Sequence, residues 1–413
     1  MDKISFIGDL MFEKPYIESK KLKGDNYDFS GLLIHLAPIL QQSDLVVANL
    51  ETVFAGKDAK YTSNLYSFNT PDEAISTLKE CNISLVTTAN NHSLDRGIQG
   101  LKRTIDILRK NHIDYTGTYQ NPKEKHRSFV KDINGTRYAF MSYTYGTNTL
   151  ENKVVLSAEE IGHINLLKPQ EIDKLARVGK KQSLLTKILA TCSQKLFTSE
   201  VRMTIKKIMK MPLNVPIVDD NISINENYVK LLVDDIRETK ICSDVVFMCL
   251  HSGGQFNASP GCFTKDMVHI IHEAGVENII AMHPHVVQHY ESNTNGNNVF
   301  YSIGSLNISP SSAYVLHELK PEYSIIPHYY FDKIDGKTKL IKVTFSIAKV
   351  VEDKDHSLTV YPVSKLNEIL NGDNKLNLMD DVRFIYNRVM LANINNIEIK
   401  DEYEIEQKKT CCF

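Results

Sequence analysis

The chain has 413 residues, 42% of them apolar, which is enough for a large buried core. Its 48 Lys and Arg against 50 Asp and Glu give a formal net charge of −2, which excludes a global field that would draw it to nucleic acid. No stretch approaches the roughly 20 apolar residues that span a bilayer, and residues 1–3 enter the first strand with no charged-then-apolar leader, so the chain reads as soluble.

Seven cysteines, at 81, 192, 242, 249, 262, 411 and 412, lack the pairing and density of a disulfide scaffold and read as reduced thiols of a cytoplasmic protein. The terminal Thr410-Cys411-Cys412-Phe413 does not fit a prenylation box, because Thr410 stands where Cys is required. A flexible polar tail is the expectation there.

In chain order, the pattern predicts a strand over 3–7, a helix over 29–41, a strand over 44–50, a helix over 72–81, a strand over 83–88, a helix over 97–111 and a strand over 138–143. This β/α alternation resumes with a helix over 226–239, a strand over 244–250, a helix over 264–274 stopped by Gly275, and strands over 276–281 and 299–303. Asp335-Gly336 then predicts a hairpin turn between 329–334 and 339–350, and a last helix covers 380–392. The expected division is one domain over 1–363, followed by a C-terminal helix and polar tail over 364–413.

Between the two β/α blocks, residues of about 157–213 read as a helical insertion. Over 168–211 it carries eleven basic residues against three acidic ones, with Leu184, Leu185, Ile188 and Leu189, then Val201, Ile205, Ile208 and Met209, at helical spacing. A solvated basic hairpin is the plain reading; a lid at the rim of a cleft that favours anionic substrates is the functional one.

The chemistry concentrates where predicted strands end: Gly8-Asp9, Asn49-Leu50-Glu51, Asn90-Asn91-His92, His251-Ser252-Gly253-Gly254 and His283-Pro284-His285. Strand-to-loop junctions are where α/β sheets gather functional groups. A divalent cation that activates water requires rigid oxygen and imidazole ligands. Asp9 and Glu51 offer carboxylate oxygen, Asn91 an amide oxygen, and His251, His283 and His285 nitrogen. This mixed set suits Mn, Fe or Zn better than Mg or Ca, with one or two ions left open. His92 is the candidate proton donor or substrate clamp and Asp95 its orienting carboxylate. Asn49, Asn90, Gln255 and Ser302 are candidate substrate contacts, with the loops 54–65 and 145–153 as further recognition elements. Each short motif alone has a plainer explanation: Gly-Asp after a strand as a turn, and Asn-Leu-Glu as a strand end with a helix cap. His269 and His272 fit a helix surface, and Ser252 lacks the elbow of a serine hydrolase.

The ordered stretches Gly8-Asp9-Leu10-Met11, Ala48-Asn49-Leu50-Glu51, Ala89-Asn90-Asn91-His92 with Asp95 and Gly97, His251-Ser252-Gly253, His283-Pro284-His285-Val286 with Gln288, and Tyr301-Ser302-Ile303-Gly304 resemble the CapA capsule-synthesis family over roughly residues 3–310. That family is associated with capsule and poly-γ-glutamate biosynthesis, and its domain is similar to calcineurin-type metallophosphoesterases. The resemblance implies an α/β fold, a four-layer α/β/β/α sandwich of two mixed β-sheets with the cation site at the strand ends. The chain also departs from the related patterns: Met11 replaces a phosphoesterase His, Gln255 a family Glu and Ala281 a usual Gly, and the family's Tyr-Ser-Leu-Gly-Asn-Phe reads Tyr301-Ser302-Ile303-Gly304-Ser305-Leu306. Two functions follow. One is a metal-dependent hydrolase acting through activated water on a phosphoester or a γ-glutamyl-type amide of an anionic small molecule or polymer. The other is a non-catalytic accessory protein in a capsule or polymer biosynthetic complex, retaining the fold and a partial metal site.

Overall fold

The computed structural model describes residues 1–63, 66–170, 223–312 and 314–406. Most of the expected basic insertion and the last seven residues lie outside that set. The first sheet contains β1 (Asp2–Leu10), β2 (Leu45–Leu50), β3 (Ile83–Thr87) and β4 (Asp114–Thr116) from the N-terminal block. The second contains β5 (Ser128–Ile133), β6 (Thr136–Thr144), β7 (Val245–His251), β8 (Asn278–Met282), β9 (Tyr290–Ser292) and β10 (Asn298–Phe300). The chain then returns to the first sheet as β11 (Tyr323–Ile334), β12 (Lys337–Glu352), β13 (Leu358–Pro362) and β14 (Tyr403–Ile405).

The first sheet runs in the order β13-β12-β11-β1-β2-β3-β4, with β14 also on β12; the second runs β5-β6-β7-β8-β10-β9. Both are mixed. In each, four neighbouring strands are parallel, β1-β2-β3-β4 in one and β6-β7-β8-β10 in the other, and the first three of each run matter here. Their carboxyl ends carry the ligand-type residues.

The layers follow from alternation along strands that are apolar on both faces. Phe6, Val47 and Leu85 from one sheet meet Phe140, Phe247 and Cys249 from the other in a shared core that also holds Tyr329 and Phe331. Phe247 packs against Phe6 at 4.9 Å and stacks on Phe140 at 5.5 Å between ring centroids. The intervening residues Ile7, Val46, Ala48 and Val86 face outward against Leu33, Leu36, Leu40 and Leu78. Val246, Met248 and Leu250 likewise face Leu232 and Ile236 of helix Glu226–Ile241 and Phe263 and Met267 of helix Cys262–Glu273. Burying a large apolar side chain contributes about 1.5–3 kcal/mol, so these three clusters hold the four-layer α/β/β/α arrangement that the sequence led us to expect.

Local differences from the expected elements have local causes. Residues 29–41 hold only a short helix, Ala37–Leu40, because Gly31 sits at φ 89° and Pro38, lacking an N–H, tolerates only the start of a helix. The leucines are buried all the same. The last helix is longer than expected, Gly372–Met390, and buries Leu378, Val382, Ile385 and Val389 in the inter-sheet core. Part of the expected polar tail is instead β14: Tyr403 and Ile405 are buried, and Tyr403 stacks on Phe345 at 5.4 Å. The Asp335-Gly336 turn is a two-residue loop with φ of 53° and 73°, the left-handed geometry that suits the strand twist of hairpin β11–β12.

Candidate metal centre

Asp9 is not at the end of its strand as expected; β1 continues to Leu10, with a register shift between Ile7 and Asp9. That irregularity depends on Gly8, where a Cβ would lie 2.0 Å from the Gly304 carbonyl oxygen. The close approach lets residues 304–306 pack along β1 and turns the Asp9 carboxylate toward the second sheet. Glu51 follows β2 directly, Asn91 lies in the turn after β3, His251 ends β7, and His283 and His285 follow β8. His283 and His285 sit at φ 104° and 56°, a region that non-glycine residues rarely adopt. Such strain gathers at functional sites, and here it aims two imidazoles separated by one proline into one space.

The six expected ligands come together. Nε2 of His251 lies 2.7 Å from Asn91 Oδ1, 3.1 Å from His283 Nδ1 and 3.6 Å from Glu51 Oε1. Asp9 Oδ2 lies 3.0 Å from His285 Nδ1, and His285 Nε2 is 3.9 Å from Glu51 Oε1. Atoms bound at about 2.0–2.2 Å to a common ion stand roughly 3–3.5 Å apart, a range that these spacings bracket. Two groups of potential ligands form, Glu51 with His251 and His283, and Asp9 with Glu51 and His285; in each, the ligand atoms lie within 4.8 Å of one another. Glu51 belongs to both.

The electrostatics also fit a cation. Both oxygens of Glu51 are buried and accept no hydrogen bond from the described residues. Burial, reinforced by the nearby Asp9 and Asp95 carboxylates, holds the Glu51 carboxyl well above the usual range. Burial and the neighbouring imidazoles push His251 and His283 well below theirs, leaving them neutral with lone pairs to offer. A buried carboxylate with no donor is unfavourable by several kcal/mol unless a positive charge meets it.

The other expected site residues have distinct places. His92 stacks on Phe68 at 4.3 Å, and its Nδ1 lies 2.6 Å from Asp95 Oδ2, while its Nε2 faces Glu51 Oε1 at 3.8 Å. Asp95 also accepts from the Phe68 backbone N–H. Asn49 is fully buried: its Nδ2 donates to Asp9 Oδ1 at 2.8 Å, and its Oδ1 accepts from Thr87 Oγ1 and Asn90 Nδ2, each at 3.2 Å. Asn90 is enclosed too, holding Leu50 O and the His92 N–H. Both amides therefore brace the ligand loops. Ser302 is fully buried beside Gly304, whereas Gln255 is half-buried in the turn after β7. Met11 packs with Phe68, Phe256 and Val286 in an apolar cluster.

Three neighbours had no individual signature in the sequence. Tyr145 places its hydroxyl 2.9 Å from His283 Nε2, Asn148 accepts from Asn91 Nδ2 at 3.1 Å, and Phe256 sits 6.3 Å from the His285 ring. Tyr145 and Asn148 fall inside the loop 145–153 that the sequence marked only as a recognition element. Lys168, the first basic residue of the expected insertion, is buried with its ammonium 5.4 Å from the Tyr145 ring centroid.

Fold and site together define a two-sheet α/β protein with a buried carboxylate–imidazole centre at the strand ends. The chain belongs to the bacterial capsule synthesis protein PGA_cap family, whose pattern it matches over residues 3–309. It is 22% identical over 303 residues to the PGA biosynthesis protein CapA of Bacillus subtilis (strain 168), covering 73% of this chain and 62% of that protein. It is 21% identical over 307 residues to the capsule biosynthesis protein CapA of Bacillus anthracis, covering 73% of this chain and 58% of that protein. The chain thus spans about three-fifths of those relatives' length. Among solved structures it is similar to the calcineurin-like phosphoesterase YfkN of Bacillus subtilis, at 13% identity and a TM-score of 0.40, covering 92% of this chain and 96% of that one. A novel phosphatase of Mycoplasma pneumoniae gives 12% identity and a TM-score of 0.40, covering 87% and 92%. Among the described residues, no helix is long and apolar enough to cross a membrane.

Proposed function

We propose that this protein is a divalent-metal-dependent hydrolase of capsule or poly-γ-glutamate metabolism, acting on a phosphoester or a γ-glutamyl-type amide in an anionic molecule or polymer. The observation that carries the reading is Glu51: a fully buried carboxylate with no hydrogen-bond donor, shared by two groups of converging ligands. A divalent cation held there, with Mn, Fe or Zn matching the mixed donors, would polarise the scissile group and lower the pKa of water toward neutrality.

Asp9 and His285 would hold one cation and Asn91, His251 and His283 a second, with Glu51 between them. Asn49 keeps the Asp9 carboxylate turned inward through its 2.8 Å hydrogen bond. His92 is the proton carrier. Its Nδ1 is engaged by Asp95, which orients the ring and leaves Nε2 facing the centre, where a leaving group can take a proton. Phe68 stacked on the ring limits its rotation.

Elemental analysis and calorimetric titration with Mn2+, beside assays on a generic phosphoester and a γ-glutamyl amide, test the reading. The expectation is two cations per chain, His285→Ala removing one and His251→Ala the other, and metal-dependent turnover on one substrate class. A protein that binds cations but turns over neither class supports the accessory role, which Gln255, in place of an acidic residue, favours. A protein that binds no divalent cation contradicts the proposal.

A further inference from the structure

An amide ligand has two ends that differ by one flip of the side chain, and only the oxygen can bind a cation. If the Asn91 side chain flipped, its NH2 would point among His251, His283 and Glu51, and the ligand would become a repulsive donor. The flip is therefore functional, and something must select it.

The selecting contact comes from the loop after β6. The Asn91 Nδ2 donates to Asn148 Oδ1 at 3.1 Å while the Asn91 Oδ1 faces His251 Nε2 at 2.7 Å. The Asn148 NH2 in turn lies 3.4 Å from both ring nitrogens of His92, so it rests against the imidazole. One side chain thus touches both the amide ligand and the proton carrier.

The loop around Asn148 is firmly built. The Tyr145 N–H donates to the His251 carbonyl at 3.0 Å, tying the loop to the end of β7. Gln170 donates to Thr147 Oγ1 at 2.7 Å and to the Val154 carbonyl at 3.1 Å, and Asn152 donates to the Thr147 carbonyl at 2.6 Å. Asn148 itself is left-handed, with φ 47° and ψ 39°, and caps the short helix Thr149–Asn152. Asn tolerates that conformation better than most residues, and Gly better still.

We infer that Asn148 is a positioning residue that fixes the Asn91 amide with its oxygen toward the cation. This rests on the cation reading above and adds a residue that does not itself contact the ion. Partners that orient ligands typically influence metal affinity by about 10–100-fold when removed.

The full-length protein and its Asn148→Gly and Asn148→Asp variants would be titrated with Mn2+ by calorimetry, and the visible spectrum of each Co2+-loaded protein recorded. Asn148→Gly removes the acceptor while easing the left-handed backbone, so the cation-free protein should melt as wild type does. Its Mn2+ affinity should fall by about 10–100-fold, with an altered Co2+ spectrum. Asn148→Asp keeps an oxygen facing Asn91 and should restore both. In an Asn91→Ala background, Asn148→Gly should weaken binding no further, because the effect passes through Asn91. A glycine variant that binds as tightly as wild type with an unchanged spectrum overturns the inference alone, as does an aspartate variant no better than glycine. A wild-type protein that binds no cation overturns the parent reading and this one with it.

Discussion

Two glutamates are buried in the same part of the molecule, and their surroundings differ. Glu13, 2% exposed, accepts from the Ser309 N–H at 3.0 Å, from Ser312 Oγ at 2.7 Å and from the Tyr314 hydroxyl. Glu51 is fully buried and accepts no hydrogen bond from the described residues. Burial raises the pKa of both, but the donors around Glu13 oppose the rise, whereas the Asp9 and Asp95 charges near Glu51 add to it. Glu13 is thus a tie, fastening the loop after β10 to the start of helix Lys14–Ser19. Glu51 has no such tie, and the proposed cation would supply what it lacks.

The histidines divide in the same way. His328 is fully buried with Nδ1 2.6 Å from Ser5 Oγ and Nε2 3.0 Å from Ser346 Oγ, both nitrogens engaged by neutral hydroxyls. His251 and His283 instead face each other at 3.1 Å. A buried polar group saturated by neutral partners is structure; several that converge with a buried carboxylate on one space form a candidate binding site.

The comparison can be broken most sharply at His92, which has a partner in Asp95 and lies beside the ligands. His92→Ala should lower turnover by about 10²–10⁴-fold while the metal content of the purified protein stays at the wild-type level. Loss of metal along with activity would make His92 a ligand and blur the line between the two kinds of group. Glu13→Ala should leave cation binding intact and destabilise the fold by about 1–3 kcal/mol in urea titration, because it strands one buried and two half-buried donors. Reduced Mn2+ affinity in that variant would mean that Glu13 serves the centre.

The most gradual expected effect is at His328, where burial, with Lys3 adding to it, pushes the imidazole down to about 3. Its folded pKa lies below the unfolded value, so the unfolded chain takes up the proton first. Stability is therefore full above pH 6.5 and is lost as pH falls toward about 3, by at most about 1.4 kcal/mol per pH unit. His328→Gln should flatten that part of the stability curve, as denaturant titrations at several pH values would show. An unchanged slope would remove His328 from the account of acid sensitivity.

The convergence of these six residues was legible in the sequence because each lies at or near the end of a Val-, Ile- or Leu-rich strand, and parallel strands of one sheet end on the same side. That the two sheets would bring Asp9 and His285 within 3.0 Å came from the family resemblance rather than from periodicity. The bulge at Asp9 was hidden, since it depends on a contact between Gly8 and Gly304, almost 300 positions apart in the chain. The roles of Tyr145 and Asn148 were hidden for a related reason: a loop's residue types do not say which ligand it will lie against. The helix expected over 29–41 failed because the leucine pattern reports burial, while Gly31 and Pro38 decide the backbone.

The central claim, that Glu51 lacks a partner because it is meant for a cation, is tested most directly by thermal melting of wild type and Glu51→Gln, each with and without Mn2+. The account predicts that cation-free Glu51→Gln melts above cation-free wild type, because the wild-type carboxyl must either hold a buried charge or take up a proton on folding, and a neutral amide does neither. It also predicts that Mn2+ raises the melting temperature of the wild type and leaves that of the variant in place. A wild type indifferent to divalent cations, together with a variant that melts below it, would contradict the account.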